Sequence, residues 1–352
     1  MCLPKSTHLF LLYSCFFCSC WTTELLSLEL ENSSHESPAT SKILRNRTRY
    51  RVHYANKRAV SQNKSSSIGT NTLSLVRKKP VCGWIVDLKD KEWKNFSQGG
   101  QDGIVNAIFE QIGTTNKFFV EFGLGYVENV TGDVMQDQGL NTYLLAKSGW
   151  KGLYFDALQS SQEFNVTKAV LTEDNIVEHF QQASVPFEVD YVSIDVDSID
   201  LWLLKGLIGK GSPYRPRVIS IEYNINFAPN MKISMEPTWH AWTNRAVYGA
   251  SAGAINYVAQ RNGYKTVYIM PSGLDLFLIR RDILSDCCGP SFKDMSKDIM
   301  PSRMHPECTK EDLDRLVDDP LYLNGKYERA REEANRQVRS LADRYGSKMC
   351  DV

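Results

Sequence analysis

No net charge is left over in this chain of 352 residues, where 41 Lys and Arg balance 41 Asp and Glu. That balance removes the cationic surface on which a nucleic-acid binder depends, so no nucleic-acid partner is expected. Acid is missing altogether from residues 37 to 86, where eleven Lys or Arg stand without one Asp or Glu. The rest of the chain is correspondingly acidic. A membrane-length apolar run is lacking at the N-terminus: residues 9 to 21 are uncharged and apolar but number only 13, where a spanning helix needs about 20. Beyond Asp282, Cys287, Cys288, Cys308 and His305 have irregular spacing with no Cys-x₂₋₄-Cys pair, which excludes the usual zinc pattern there. No internal repeat is evident.

What is present starts with that apolar run, preceded by Lys5 and His8 and carrying small residues, Cys18 and Cys20, before Trp21. It has the length of a secretory signal cleaved near Trp21, or of a short anchor that recruits Leu25, Leu26 and Leu28 past Glu24. Residues 1–30 are assigned to one or the other, the anchor implying membrane attachment. Residues 31–80 are rich in Ser, Asn, Thr and basic residues with little apolar periodicity, the composition of a disordered stem or linker. Behind a signal, such a segment is either a Golgi-type stem or an organelle transit region. Six Asn-x-Ser/Thr sequons, at Asn32, Asn46, Asn63, Asn95, Asn129 and Asn165, tilt the reading toward the secretory pathway. In an oxidising lumen, disulfides among Cys82, Cys287, Cys288, Cys308 and Cys350 become available, with pairing unassigned.

From about residue 81 the composition turns globular. Apolar residues at 104, 105, 108, 109 and 112 have helical spacing and follow a polar, glycine-rich lead-in at 97–103. Then comes the stretch that organises the domain, Lys117-Phe118-Phe119-Val120-Glu121-Phe122-Gly123-Leu124-Gly125. Four apolar residues and one acid running into two glycines predict a buried parallel strand and a tight turn. Glycine at both turn positions lets the backbone approach a ligand, because no β-carbon intervenes. Residues 140–148 read as a helix ended at Gly149, and 151–156 as a second strand with Asp156 at its tip. An acid there is placed for ribose hydroxyls, with residues 126–139 as an insertion.

Further strands are predicted at 167–171, 190–197 and 216–224, with a helix at 176–183 capped by the 172–175 segment. Asp195, Asp197, Glu222 and Asn224 sit at strand ends, and in a parallel sheet such tips share one edge. A helix over 248–262 leads to strands 265–270 and 274–280, joined through Pro271-Ser272-Gly273 as a hairpin. The expected fold is α/β: a Rossmann-like, seven-stranded, mostly parallel sheet with an antiparallel C-terminal hairpin strand and helices on both faces. Residues 81–284 form this domain, and 285–352 a Cys-containing loop and helical extension with charged helices near 311–317 and 327–345.

Several pieces together resemble a known family. They are Ser97-Gln98-x-Gly-Gln101-Asp102, Phe119-Val120-Glu121-Phe122-Gly123, Asn141-Thr142 with Gly149-Trp150-Lys151-Gly152-Leu153, Asp190 through Asp197, Tyr214 through Asn224, and Tyr248-Gly249-Ala250-Ser251. In this order, from about 97 to 284, they resemble the FkbM-like branch of class I S-adenosylmethionine-dependent methyltransferases. Where that family usually has Gly-Asn-Asp after Asp197, this chain has Ser198-Ile199-Asp200, and Leu140 stands where Ser is common.

The resemblance implies methyl transfer from S-adenosylmethionine to a hydroxyl of a sugar, glycan or related natural product. Glu121 with Gly123 and Gly125 would hold the amino acid end of the cofactor, Asp156 its ribose, and Gln98, Gln101 and Asp102 would close over it. Asp195 is the first candidate for the base, with Asp197 beside it and His240 as an alternative. Asp195, Asp197, Glu222 and Asn224 form an oxygen-rich set suited to a divalent cation, Mg²⁺ or Mn²⁺. Two other classes stay open. Asp195-Val196-Asp197 is also the Asp-x-Asp of metal-dependent glycosyltransferases, and Ser198-Ile199 fits an inactive binding protein on the same fold.

Overall fold

The computed structural model describes residues 83–125, 130–284, 289–299, 308–318 and 327–345. The chain divides into two units, Met1–Thr72 and Leu73–Val352. The signal or anchor segment and the whole of the basic stem lie outside the described residues, as do Cys82, Cys287, Cys288, His305 and Cys350. Cys308 is described and is disulfide-bonded. Among the described residues no helix is long and apolar enough to cross a membrane.

Seven strands form the main sheet: β1 (Phe118–Phe122), β2 (Lys151–Asp156), β3 (Val166–Lys168), β4 (Tyr191–Ile194), β5 (Val218–Glu222), β7 (Tyr264–Ile269) and β8 (Asp275–Arg280). Their order is β3-β2-β1-β4-β5-β8-β7. The first five are mutually parallel, and β8 runs antiparallel between β5 and β7. This is the Rossmann-like α/β sheet with an antiparallel C-terminal hairpin that the strand pattern predicts. Chain order reverses between β1 and β4, and ligands of open α/β sheets bind at such a switch point, beyond the carboxyl ends of the strands.

Helices cover both faces. On the first face lie α1 (Gly83–Val86), a short 3-10 turn (Asp87–Asp90), α2 (Gln101–Ile112), α3 (Gly132–Asp137) and α4 (Tyr143–Lys147). Ile104, Val105 and Ile108 of α2 pack there on Phe119, Tyr191 and Val218. On the second face α5 (Ile176–Gln182), α6 (Asp200–Ile208) and α7 (Ala252–Arg261) pack on Val120, Phe122, Val192 and Ile219. The α2 spacing predicted from positions 104 to 112 corresponds to this apolar stripe.

The amino-terminal ends of three strands are tied by one buried acid. Asp190 accepts from the backbone amides of Thr115, Asn116 and Lys117, at 2.7 to 3.0 Å, and from the Thr115 hydroxyl. Arg217 Nη1 donates to it at 2.6 Å and also to the Gly113 carbonyl, while Nη2 donates to the Ile112 carbonyl at the end of α2. The lead-ins to β1, β4 and β5 and the end of α2 therefore meet at a single ion pair.

Several boundaries differ from the sequence reading. The predicted helix at 140–148 is reduced to α4, because the amides of Asn141 and Thr142 donate to Glu121 instead of joining a helix. The insertion at 126–139 contains α3, capped by the Thr131 hydroxyl. The strand foreseen at 167–171 ends at Lys168, and that at 190–197 ends at Ile194. The charged helix foreseen at 311–317 is α9 (Lys310–Asp314), followed by β9 (Leu316–Asp318). β9 pairs with β6 (Ile233–Met235), which lies in the 225–247 segment where no element was foreseen. α10 (Tyr327–Tyr345) packs on β9, with Ala334 and Val338 joining Phe227, Ile233 and Leu316 in a separate apolar cluster. A further short helix, α8 (Phe292–Met295), precedes α9.

Candidate functional site

Strand parity builds the site. In β1, Val120 and Phe122 point into the second face and Phe119 into the first, so Glu121 faces the first. Register continues that row across the sheet, from Tyr154 through Glu121, Ser193 and Ser220 to Phe277. Two residues further along each parallel strand the same parity reaches the tips Asp156, Asp195 and Glu222. Asp275, at the start of antiparallel β8, is in register with Glu222. Five carboxylates from β2, β1, β4, β5 and β8, neighbours in that order, thus share one rim.

The charge this gathers is uncompensated. Burial first, and then the negative charges of Asp197, Asp200 and Asp275, hold the Asp195 carboxyl well above its ordinary range. Glu222 is raised in the same sense by burial and then by Asp195, Asp197 and Asp200. Asp195, Asp200 and Glu222 each offer a carboxylate oxygen within 4.8 Å of the others. Glu222 Oε2 is buried without a hydrogen-bond partner. Asp200 is held in place by Val196 N at 2.8 Å and Ser198 N at 3.0 Å, and burial pushes it up to about 7.

This corrects the cation set expected from the sequence. Asp200 belongs to it, and Asn224 does not: its side-chain amide donates to the carbonyls of Ala246 and Tyr248, and its oxygen accepts from Asn226 N. Asn224 is a bracket for the 246–248 loop. Asp197 sits in the left-handed region at φ 57° and acts on the cluster through its charge, but contributes no oxygen to the triad. Asp200 was visible as the third residue after Asp197, yet lacked a signal, because it opens α6 and reads as a helix-starting acid.

The residues expected around the cofactor are mostly engaged with the protein itself. Glu121 accepts from Asn141 N, Thr142 N and the Thr142 hydroxyl, at 2.6 to 3.1 Å. Burial still pushes it up to about 7. Asp156 accepts from Leu124, Leu158 and Gln159 amides and so folds the turns after β1 and β2 onto each other. Asp102 Oδ2 gathers the amides of Asn95, Phe96 and Ser97 and the Ser97 hydroxyl, leaving Oδ1 buried and unpartnered. Gln101 bridges Gly99 N to Asp275. Gln98 is exposed, its backbone beside Gly139. These are contacts that hold the turns around the rim in place.

Gly123 also serves a different end from the one its motif suggested. At φ 80° a β-carbon there would stand 2.2 Å from the Asp195 backbone carbonyl. The glycine lets the β1 turn pass against the β4 turn and so sets where Asp195 lies. Gly125, at φ 68°, meets only Gln138 Oε1. His240 has its Nε2 at 3.4 Å from Glu236, which also pairs with Arg331 of α10. Its place is in the contact between the 225–247 segment and the C-terminal extension.

Asp275 is the site residue that sequence reasoning passed over. It is 3% exposed, accepts from Gln101 Nε2 at 2.8 Å and Asn141 Nδ2 at 3.1 Å, and keeps Oδ1 buried without a partner. Burial pushes it up to about 6. Asn141 also donates to Ser193, which is linked to Ser220 and through it to Tyr191.

These shifts fix a pH dependence. Glu121 and Asp200 at about 7 and Asp275 at about 6 bind protons more tightly folded than unfolded. Their contribution to stability is full below the ordinary carboxylate range and is lost as pH rises through those values. Melting followed in chelator from about pH 5 to about pH 8 is expected to fall across this window. A flat or rising curve would show that the acids do not carry the repulsion described. In comparisons with protein-family models, curated proteins and solved structures, nothing matches this chain.

Proposed function

We propose that the chain is an S-adenosylmethionine-dependent O-methyltransferase acting on a hydroxyl of a sugar, glycan or related compound. The observation that carries the reading is the acid rim at the switch point of a sheet ordered β3-β2-β1-β4-β5-β8-β7. A site whose dominant charges are carboxylates favours a cationic donor. S-adenosylmethionine supplies such a donor, a methyl group on a sulfonium. A nucleoside diphosphate would be repelled by the same charges unless a metal neutralised them.

The residues fit both groups. Asp275 Oδ1, buried and unpartnered, is an acceptor for the cofactor's ammonium group, and the Asp195, Asp200 and Glu222 oxygens suit a divalent cation of the Mg²⁺ or Mn²⁺ type. A bound cation would lower the pKa of the acceptor hydroxyl. Where no cation holds its carboxylate, Asp195, its proton affinity raised by burial and then by the neighbouring acids, would take the hydroxyl proton. Glu121, through Asn141 and Thr142, would hold the wall of the cleft, and Asn141 would orient Asp275. The Cys308 disulfide supports a secretory-pathway lumen as the place of action.

Ligand stabilisation tests the reading. S-adenosylhomocysteine is expected to raise the melting temperature, by mass action on the folded state. Stabilisation by uridine diphosphate with Mn²⁺, and none by S-adenosylhomocysteine, would replace methyl transfer by sugar transfer. Asp195→Ala is expected to keep the fold and abolish methyl transfer to glycan extracts, read as S-adenosylhomocysteine formed. Retained transfer would remove Asp195 from the mechanism.

A further inference from the structure

A pocket lies at the other end of the sheet from the acid rim. It has a volume of about 420 Å³ and opens between α7, the start of β7, the residue after β8 and the segment before α8. Asp275 opens β8 at the rim and Arg281 follows its last residue, so the six residues of β8 put the two sites about 20 Å apart. The volume is in the range of small-molecule sites.

The chemistry of its wall is one-sided. Among the described residues no Asp or Glu lines it, while Lys265 and Arg281 both do. Neither forms an ion pair with a described residue. Arg281 Nε donates to the Tyr264 carbonyl at 3.0 Å, which fixes the guanidinium and leaves its two terminal nitrogens without an acceptor among the described residues. Among the described residues Lys265 Nζ reaches only the Gly289 carbonyl, at 3.5 Å. Asn256 Oδ1 is already occupied by the Thr266 hydroxyl and by Gln260, so its side-chain NH₂ is the group left to a ligand. Asp294, two residues beyond the lining residue Phe292, is bonded to Ser291 and paired with Lys297 at 2.8 Å. Burial, and then the charge of Arg281, make the Lys265 ammonium less stable than a free lysine's. Leu284 and Phe292 complete the lining with apolar surface.

Two cations with no acid partner among the described residues, beside amide donors and an apolar floor, make a receptor for a tetrahedral oxyanion carried on a larger body. We propose that this pocket binds a phosphate- or sulfate-bearing ligand, its oxyanion held between Lys265 and Arg281. The site is separate from the acid rim and does not rest on the methyl-transfer reading.

Isothermal titration of the full chain with inorganic phosphate and with inorganic sulfate, at constant ionic strength, tests it. Saturable binding is expected, weakened about tenfold or more in Lys265→Gln, which removes a charge-assisted bond. Gln260→Glu, on the exposed side of α7, is expected to weaken it as well and keeps the test valid should Lys265→Gln not fold. No saturable binding of either anion, or binding unchanged in both variants, overturns the proposal. Sedimentation with phosphatidic acid vesicles separates the sources: retention lost in Lys265→Gln assigns a lipid headgroup, and phosphate binding without vesicle retention assigns a soluble ligand.

Discussion

Asp190→Ala is expected to destabilise the folded protein by about 3–5 kcal/mol, the range seen when one partner of a buried ion pair is removed. Asp190 is fully buried, and Arg217 is only 7% exposed. Without the carboxylate, the guanidinium keeps two carbonyl partners, Ile112 and Gly113, but no counter-charge. Four donors from Thr115, Asn116 and Lys117 lose their acceptor as well. Burial raises the proton affinity of Asp190, but Arg217 and the Thr115 and Lys117 groups outweigh it and hold the carboxyl below its usual range. The stability it contributes is therefore present above the ordinary carboxylate range and lost as pH falls through the lowered value. Urea denaturation of the variant measures the effect, and a loss under about 1 kcal/mol, the scale of an exposed pair, would refute the bracket.

Gly123→Ala is expected to cost about 2–5 kcal/mol, combining a left-handed backbone for a residue with a β-carbon and an overpacked contact. The contact is with backbone, the Asp195 carbonyl 2.2 Å from the added carbon, so no side-chain rotation relieves it. The β1 and β4 turns must separate, and Asp195 moves with them. The variant is thus expected to lose S-adenosylhomocysteine stabilisation together with part of its folding stability, measured by denaturation with and without ligand. Gly125→Ala, which meets only a flexible Gln138 amide, is expected to be milder. Equal losses at the two positions would show that the approach to Asp195 is not what Gly123 provides.

The strands were largely legible, because parallel strands buried on both faces read as apolar runs with a polar residue only at the tip. The tips were legible for the same reason: Glu121, Asp156, Asp195 and Glu222 interrupt such runs and do share one rim. Partnerships were not. Nothing local in the chain announces that Asp156 collects the Leu124 amide from 32 residues away, or that Gln101 reaches Asp275 across 174. β6 escaped notice in a segment with no readable motif, and the start of β9 falls inside the stretch read as a charged helix.

Residue order and polarity, by themselves, determined that this chain forms a doubly covered α/β sheet with acids at strand ends, since burial on both faces leaves polar side chains only where strands stop. The folded arrangement alone decided which of those acids face one another. Asp200 joins Asp195 and Glu222 through a helix start, and Asp275 enters because an antiparallel strand presents its first residue at the rim where parallel strands present their last. Strand direction is a property of long-range pairing, set by contacts between segments far apart in the chain, and no local pattern of side chains encodes it.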